Sequence, residues 1–348
     1  MTIQSKRERH RLKVVLAGKV AARAADFLRN HSKAPATFLP FPVNCEDPRI
    51  LKALSNADVA VSHFFTEGMA HAAQNLKLLH APNAGTDALR VELLGPRTSV
   101  ANAYFHGPAV AEYVVMAVLA LSRDLLKLDR QVRKGIWGGS WTRGEVPGEE
   151  VLGKSLGIVG YGHIGREVAS RARALGMSIR VISAHPPKRK PSAVVSWKSP
   201  VGLAQLLKES DYVVLACPLN NDTSGLIGPS EFARMKHSAF LINVARGPVV
   251  QEEALYRALK DRQIAGAAID VWYRYPAGSE PCRPSRFPFH KLSNLLMTPH
   301  VSGWMLGTRQ KRLQLIAENI DRLVAGKPLL NVVQGPRKHS PSEWTGGC

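Results

Sequence analysis

The chain has 348 residues, of which 45% are hydrophobic and 21% are charged. This length predicts two domains, and the balanced composition excludes disordered, collagen-like and low-complexity proteins. The formal net charge of +20 predicts a surface that attracts anions, but charge alone does not choose among nucleic acid, lipid headgroups and small phosphates or carboxylates.

Three simple features narrow the class of protein further. The longest apolar stretch, residues 110–121, is interrupted by Glu112 and is too short to span a membrane. The four cysteines are scattered without metal-ligand spacing, so neither a disulfide framework nor a metal site is predicted, and a reducing, cytoplasmic location fits best. The basic cluster of residues 6–13 contains no aromatic side chains that could stack on bases, so nucleic acid is not favoured as a partner.

Short apolar segments alternate with helical patterns from residue 13 onward, which predicts an α/β fold with parallel strands. The first part of the chain contains predicted strands at 14–17, 58–61 and 76–80 and a predicted helix at 20–30. A turn-forming sequence, residues 82–87, follows at a strand end, where open α/β sheets commonly carry functional loops. An apolar helix is predicted at 109–122, and its apolar faces require burial in the core or in a subunit interface.

A second α/β series begins after a loop rich in Trp and Gly. Its predicted strands lie at 156–159, 179–182, 212–215, 240–243, 266–270 and 294–297, and a final helix is predicted at 309–325. Strands and helices in this order are typical of a dinucleotide-binding sheet.

A GxGxxG motif follows the first strand of this series and opens the helix predicted at 164–175. This placement lets the glycine backbone approach a pyrophosphate at a helix N-terminus. The residues assigned to this loop are Gly160, Tyr161, Gly162, His163, Ile164 and Gly165.

The next strand ends at Ser183, where NAD-binding proteins commonly carry Asp or Glu for the ribose hydroxyls. A hydroxyl backed by His185, Lys188 and Arg189 is suited to a 2′-phosphate, which a carboxylate would repel. The sequence therefore favours NADP(H) as the cofactor, with NAD(H) as the alternative. The competing interpretation is a solvated basic loop that makes no cofactor contact.

Several further motifs occur in a fixed order along the chain. They are Asn83-Ala84-Gly85-Thr86-Asp87, Val110-Ala111-Glu112-Tyr113, the GxGxxG, Pro218-Leu219 before Thr223, Asn243-Val244-Ala245-Arg246-Gly247, Asp270-Val271-Trp272 and Thr298-Pro299-His300-Val301-Ser302-Gly303. Through them the chain, over residues 13–331, resembles the D-isomer-specific 2-hydroxyacid dehydrogenases, which include phosphoglycerate and formate dehydrogenases and the glyoxylate/hydroxypyruvate reductases.

The resemblance implies a Rossmann-type NAD(P)-binding domain inserted in a flavodoxin-like substrate domain. The NAD(P)-binding domain is expected at 102–297. The substrate domain is expected to be discontinuous, from 1–101 and 298–348, with mobile tails at 1–12 and 334–348 and a cleft between the two domains.

The resemblance also assigns roles to individual residues. Arg246 would bind the substrate carboxylate and 2-oxo oxygen through its donor fork, and His300 would exchange a proton with that oxygen. Asp270 is similar to the acid that contacts the nicotinamide carboxamide. The expected substrate-binding residues are Asn83, Ala84, Gly85, His106 and Trp304. Besides the glycine loop and the residues around Ser183, the expected cofactor-binding residues are Cys217, Pro218, Thr223, Val244, Ala245, Arg246, Asp270, His300 and Gly303.

The sequence departs from the family beside His300. Most members carry a Glu five residues after the equivalent of Asp270, and it favours the protonated histidine, whereas here that position is Tyr275. The substitution predicts an activity optimum at lower pH, a slower enzyme or a different substrate, because a nearby negative charge is missing. A gapped alignment that brings Glu280 toward the histidine is the less favoured alternative.

The expected activity is reversible hydride transfer between nicotinamide and a small anionic 2-oxo or 2-hydroxy acid, of the glyoxylate or hydroxypyruvate type. A homodimer formed through the apolar helix at 110–121 is expected. One alternative is a non-catalytic, nicotinamide-sensing binding protein. The other is a formate- or phosphonate-type dehydrogenase, although Tyr275 and His106 occupy positions where formate dehydrogenases carry Gln and Asn.

Overall fold

The computed structural model of the chain describes residues 11–43, 47–137, 144, 148–185, 194–276 and 280–336. These residues form two compact units: the first takes the chain up to Phe105 and from Leu306 onward, and the second is His106–Met305. The junctions lie later in the chain than the domain boundaries expected after residue 101 and before residue 298. At the second junction the reason is that Asp270 holds residues 298–302 in the second unit through hydrogen bonds.

The first unit is an α/β sheet with helices on both faces. Its elements are β1 (Leu12–Ala17), α1 (Lys19–Ala22), α2 (Ala25–His31), β2 (Ala36–Phe41), α3 (Pro48–Leu54), β3 (Val59–Ser62), α4 (Glu67–Ala72), β4 (Leu78–His80), β5 (Ser99–Ala101), α11 (Leu306–Val324) and β13 (Val332–Gln334). The strand order is β13-β5-β4-β3-β1-β2, in which only β13 is antiparallel. The parallel part has the 2-1-3-4-5 order of flavodoxin-like sheets.

Alternation along β1 explains why this sheet is covered on both faces. Val14 and Leu16 pack in one cluster with residues of α2 and α11, whereas Val15 and Ala17 pack in another cluster with residues of α3 and α4. Parallel strands of this kind are buried on both sides, so their sequences read as nearly continuous apolar runs.

Two expectations for the first unit need correction. The helix expected at 20–30 is two short helices, α1 and α2, because the Ala24 N–H bonds to the Ala21 carbonyl in a turn tighter than the α-helical repeat. Leu12 and Gln334, the inner ends of the two expected tails, lie in strands. Residues 1–10 and 337–348 of those tails lie outside the described residues.

The second unit is a dinucleotide-type sheet. Its elements are α5 (Gly107–Ser122), α6 (Leu125–Arg133), β6 (Ser155–Val159), α7 (His163–Ala174), β7 (Ser178–Ile182), β8 (Ser196–Lys198), α8 (Leu203–Glu209), β9 (Tyr212–Leu215), α9 (Pro229–Phe232), β10 (Phe240–Asn243), α10 (Glu252–Lys260), β11 (Gly266–Ile269) and β12 (Leu295–Met297). The strands are parallel in the order β12-β11-β10-β9-β6-β7-β8. From β8 to β11 this is the 3-2-1-4-5-6 order of the Rossmann fold, which confirms the predicted α/β class.

The apolar helix α5 is buried largely within its own unit. It packs along α7, and Val110, Val114 and Ala117 belong to the same core cluster as the strands of the sheet. Met116 and Leu119 are exceptions, with 48% and 37% of their surfaces exposed. Among the described residues, no helix is long and apolar enough to cross a membrane.

Candidate active site

The glycine loop between β6 and α7 has the geometry of a phosphate-binding turn. Gly160 adopts a φ of 95°, and a side chain there would meet the Cys217 backbone at 2.8 Å. A Cβ on Gly165 would lie 2.3 Å from the Gly160 carbonyl oxygen, whereas a Cβ on Gly162 would meet nothing within 4 Å. Gly162 therefore leaves open space at the N-terminus of α7, where a helix favours an anion. This cradle fits the pyrophosphate of a dinucleotide.

The other loop residues flank this cradle. His163 is exposed and Ile164 is half-buried at the start of α7. The Tyr161 ring meets the Trp197 ring edge-on at a centroid distance of 4.6 Å. Trp197 lies on β8, a short edge strand that sequence reasoning missed because its residues are polar or aromatic rather than continuously apolar.

The end of β7 carries no carboxylate in the described segment Ser183–His185. Ser183 is half-buried and its Oγ accepts a hydrogen bond from the His185 N–H at 3.4 Å, while its own N–H donates to the Lys198 carbonyl at 3.2 Å. His185 is exposed. Lys188 and Arg189 lie outside the described residues.

Cys217, Pro218 and Thr223 form the turn after β9. The Thr223 hydroxyl donates to the Pro218 carbonyl at 2.6 Å and closes the turn. Burial raises the pKa of the Cys217 thiol to about 11, so this cysteine is a neutral side chain at physiological pH and not a nucleophile. Its backbone packs directly against Gly160, which joins the turn to the glycine loop.

The Arg246 loop follows β10 and is held in place by Asn243. The Asn243 side chain accepts from the Ala245 N–H and donates to the Arg246 carbonyl, both at 3.0 Å. Gly247 is required at the next position because a Cβ there would lie 2.3 Å from the Trp272 carbonyl oxygen. Val244 and Ala245 are buried and Arg246 is half-buried. Asn243 is thus a positioning residue that the motif contained but that sequence reasoning left without a role.

Asp270 is fully buried at the end of β11 and accepts three hydrogen bonds from the segment that carries His300. Its Oδ1 accepts from the Thr298 hydroxyl at 2.6 Å and the Val301 N–H at 2.9 Å, and its Oδ2 accepts from the Ser302 N–H at 3.0 Å. The Thr298 hydroxyl also contacts the Tyr113 hydroxyl at 2.8 Å. Asp270 therefore fixes the loop on which the histidine stands; the predicted contact with the nicotinamide carboxamide stays a prediction.

His300 is paired with Tyr275. The Tyr275 hydroxyl lies 3.0 Å from His300 Nδ1 and accepts a hydrogen bond from the Trp272 N–H at 3.2 Å. The two rings meet edge-on at a centroid distance of 5.6 Å. His300 has a φ of 57°, a conformation that residues other than glycine rarely adopt and that concentrates at functional sites. The neighbour of His300 at this position is a hydroxyl where the family pattern has a carboxylate, while Glu280 is exposed.

His106 and Trp304, which were expected to bind the substrate, lie close to the His300 loop. Gly303 is packed against the residue that precedes α5, since a Cβ on Gly303 would lie 3.1 Å from the His106 Cβ. Trp304 follows immediately and is 53% exposed. The second unit therefore brings together Arg246, Asp270, Tyr275 and His300 around the carboxyl ends of neighbouring strands.

In the first unit, the Asn83–Gly85 turn follows β4 at the carboxyl edge of that sheet. The Asn83 side chain donates to the Gly85 carbonyl at 2.7 Å, and the Asn102 side chain donates to the Ala84 carbonyl at 2.7 Å. The Ala103 N–H donates to the Asn83 carbonyl at 3.0 Å. The turn is thus held from both sides in a fixed shape, as a binding loop requires.

Over residues 115–302 the sequence matches the family described as D-isomer specific 2-hydroxyacid dehydrogenase, NAD binding domain. The glyoxylate reductase of Thermococcus gammatolerans is 39% identical over 216 residues, which are 61% of this chain and 62% of that relative. The glyoxylate reductase of Thermococcus kodakarensis is 32% identical over 323 residues, which are 89% of this chain and 92% of that relative. The match to the first of these relatives thus spans less than two thirds of its length.

The fold is also similar to that of a solved acyclic imino acid reductase in complex with NADPH and D-Arg. The TM-score is 0.77 at 26% sequence identity, and the likeness covers 93% of this chain and 100% of that one.

Proposed function

Because the chain belongs to the D-isomer-specific 2-hydroxyacid dehydrogenase family, we propose that it transfers hydride between a nicotinamide cofactor and a small 2-oxo or 2-hydroxy acid. Relatives named glyoxylate reductase support glyoxylate or a similar acid as the substrate, and they favour this activity over a nicotinamide-sensing binding protein or a formate-type dehydrogenase. The observation that carries the proposal is the hydrogen bond between Tyr275 and His300, which orients an imidazole on a loop fixed by Asp270.

Each group has a defined task in this reaction. The nicotinamide, when bound, donates or accepts the hydride. Arg246 binds the substrate carboxylate and polarises the 2-oxo oxygen through its planar donor fork. His300 gives a proton to that oxygen in reduction and takes it back in oxidation, because imidazole exchanges protons near neutral pH.

Tyr275 keeps the ring of His300 oriented in both protonation states. Its hydroxyl oxygen accepts from Nδ1–H in both the neutral and the protonated ring, which leaves Nε2 to give the proton in reduction and to take it back in oxidation. A neutral hydroxyl adds no negative charge, so it does not stabilise the imidazolium as a carboxylate does. Reduction is therefore expected to have its optimum at lower pH than in members that carry Glu.

The cofactor proposal is a preference for NADPH over NADH. It is supported by the hydroxyl of Ser183 at the end of β7, by the exposed His185, and by the lack of a carboxylate in the described segment 183–185. A carboxylate in that position would hydrogen-bond the ribose hydroxyls of NAD and repel the 2′-phosphate of NADP.

The experiment follows the absorbance of the reduced nicotinamide with NADPH and NADH in parallel. Glyoxylate, hydroxypyruvate, pyruvate and phenylpyruvate are offered between about pH 5 and 8. Formate and phosphite, offered with NADP+ and NAD+ instead, test the formate- or phosphonate-type alternative. We expect turnover of a 2-oxo acid with NADPH that is lost in Arg246→Ala and His300→Ala. Tight NADPH binding without turnover of any acid would refute the proposal in favour of a binding protein.

A further inference from the structure

Tyr113 is a buried polar residue of the second unit that the proposed reaction leaves without a task. It lies on α5, in the motif at residues 110–113, and is only 8% exposed. Its hydroxyl lies 2.8 Å from the hydroxyl of Thr298, which is 185 positions later in the chain. Burial raises the pKa of Tyr113 to about 12, so the hydroxyl keeps its proton at physiological pH. Tyr113 therefore offers a hydrogen-bond donor to the segment that carries His300.

The direction of the hydrogen bonds follows from the number of protons available. The Thr298 hydroxyl has a single proton, and it donates this proton to Asp270 Oδ1 at 2.6 Å. Between the two hydroxyls, Tyr113 must therefore be the donor. The result is a hydroxyl relay that runs from Tyr113 through Thr298 to Asp270, in which each hydrogen bond polarises and strengthens the next.

The relay holds the chain on both sides of His300. Thr298 precedes the histidine, and Asp270 also accepts hydrogen bonds from the N–H groups of the two residues that follow it, Val301 at 2.9 Å and Ser302 at 3.0 Å. The φ of 57° at His300 is costly for a residue with a side chain, so the surrounding contacts have to maintain it.

Trp272 connects the relay to the imidazole ring itself. Its indole N–H donates to the Thr298 carbonyl at 2.9 Å, while its backbone N–H donates to the Tyr275 hydroxyl at 3.2 Å. That hydroxyl is the group beside His300 Nδ1. All of these groups belong to residues 270–302 except Tyr113, which anchors them to α5.

From this geometry we infer that Tyr113 is a positioning residue for proton transfer: its hydroxyl, acting through Thr298 and Asp270, holds the His300 loop in the shape that the reaction requires. The inference rests on the proposed function and adds to it a residue that acts through other residues. Because a misplacement of about 1 Å can slow an enzyme about a hundredfold, loss of the hydroxyl should lower kcat. Cofactor binding should change little, since Asp270 keeps its two backbone hydrogen bonds.

The experiment measures reduction of a 2-oxo acid by Tyr113→Phe, which removes only the hydroxyl. We expect kcat to fall about tenfold and the Kd of NADPH to change less than about twofold. The pH dependence of kcat should keep its shape, because Tyr113 does not titrate near neutral pH. The matched control is Tyr212→Phe: Tyr212 is 4% exposed, its hydroxyl bonds to Ser122, and it begins β9 at the opposite edge of the sheet. This variant should keep the native kcat.

Variants of Thr298 separate positioning from a general loss of packing. Thr298→Ser keeps the hydroxyl of the relay and should retain most of kcat, whereas Thr298→Val should lose at least as much as Tyr113→Phe. Since Tyr113 acts through Thr298, adding Tyr113→Phe to Thr298→Val should lower kcat no further. The inference would be overturned by a native kcat in Tyr113→Phe, by losses of the two variants that multiply, or by an equal loss in Tyr212→Phe.

Hydrogen exchange tests the relay without turnover. The amide protons of Val301 and Ser302, which bond to Asp270, should exchange at least about threefold faster in Tyr113→Phe, relative to the amides of β11, and should not do so in Tyr212→Phe. If the native chain reduces no acid but these amides exchange faster, the proposed function fails and the positioning of the loop by Tyr113 stands. Unchanged exchange of both amides would overturn the inference even if Thr298→Val does not fold.

Discussion

Tyr275 shows how one side chain changes the chemistry available to His300. The hydroxyl lies 3.0 Å from His300 Nδ1 and is itself fixed by the Trp272 N–H. A hydrogen bond of this kind orients the ring about as well as one from a carboxylate, but it contributes no charge. Orientation and charge are normally supplied together by the Glu of the family, and here they are separated.

The first prediction tests this separation. Tyr275→Phe removes the hydroxyl, so kcat should fall by roughly tenfold to a hundredfold through loss of an oriented proton donor, while NADPH affinity stays unchanged. Tyr275→Glu restores a negative charge that favours the protonated imidazole, so the alkaline fall in reduction rate should move to higher pH. The measurement is kcat/KM against pH for the native chain and both variants.

Phe is the matched control for the hydroxyl, since it keeps the ring and its edge-on contact with His300. A Tyr275→Phe variant with the native kcat would contradict a role for the hydroxyl in positioning. A Tyr275→Glu profile identical to the native one would contradict the electrostatic argument.

At the scale of elements, the N-terminus of α7 depends on three glycines that serve different purposes. Gly160 is needed for its backbone conformation and Gly165 for close packing, whereas Gly162 has space for a side chain in the protein itself. Only the ligand explains why Gly162 should lack a side chain.

The second prediction follows from that difference. Gly162→Ala should leave the unfolding temperature unchanged, because the added methyl meets nothing within 4 Å. It should weaken NADPH binding by roughly tenfold or more, since the methyl occupies space next to the pyrophosphate. Fluorescence titration measures the Kd, and Gly165→Ala is the contrasting variant that should lower the unfolding temperature. Unchanged NADPH affinity in Gly162→Ala would speak against the assigned cradle.

A second element-scale feature is the link between β4 and α11 through a buried histidine. His80 is fully buried, its Nδ1 lies 3.0 Å from the Ala81 carbonyl, and its Nε2 lies 3.0 Å from the Asn319 side-chain nitrogen. Asn319 also holds Leu330 through two hydrogen bonds. This arrangement requires a neutral ring with its proton on Nδ1, and burial lowers the pKa of His80 from 6.5 to about 4.

The third prediction is acid destabilisation of the first unit. The unfolded chain binds a proton at His80 below pH 6.5, whereas the folded chain does so only below about pH 4. The free energy of unfolding is therefore highest above pH 6.5 and decreases as the pH falls from 6.5 towards 4. The loss from His80 should reach about 3 kcal/mol. Hydrogen exchange of amides in β4 and α11, at neutral and acid pH, measures it. His80→Gln should have a lower free energy of unfolding at neutral pH, but this free energy should decrease less on acidification than that of the native chain. An equal decrease in both proteins would contradict the role given to His80.

The sequence predicted elements well where the hydrophobic pattern was long and periodic. The helices at α5, α7 and α11 and the strands β6, β7, β9 and β10 were expected within a few residues, because buried parallel strands read as short apolar runs between helical patterns. Among the strands that it missed are the edge strands β2, in which Pro40 interrupts the apolar run, and β8, in which Ser196 and Lys198 flank Trp197. It also missed the break between α1 and α2, which no glycine or proline marks.

In the candidate site, too, the sequence identified residues that stand in local motifs but not contacts that depend on the tertiary structure. The motif residues 160, 246, 270 and 300 could be named because each stands at the end of a recognisable strand or turn. The pairing of Tyr275 with His300 could not, because it depends on where two loops meet in space.

At the scale of the whole molecule, the strongly basic composition fits an enzyme whose proposed ligands are all anions. A charge of +20 raises the local concentration of phosphates and carboxylates near the surface. It also works against self-association, since two copies repel each other. A homodimer therefore needs a sufficiently large apolar contact.

The fourth prediction concerns that contact. The segment after α5 carries a run of exposed apolar side chains: Leu125 at 53%, Val132 at 59%, Ile136 at 52% and Trp137 at 73% exposure. Exposed apolar patches of this kind mark interaction surfaces, and we propose that a second copy covers this one. Leu125→Glu combined with Val132→Glu should convert the dimer into monomers, as measured by sedimentation velocity. The native chain should associate more weakly at low salt, because the repulsion between its two positively charged copies is then least screened.

Val201→Glu, at a residue that is 94% exposed but far from this run in sequence, should leave the dimer intact. A native chain that sediments as a monomer at all salt concentrations would contradict the proposal, and the apolar run would then need a different partner.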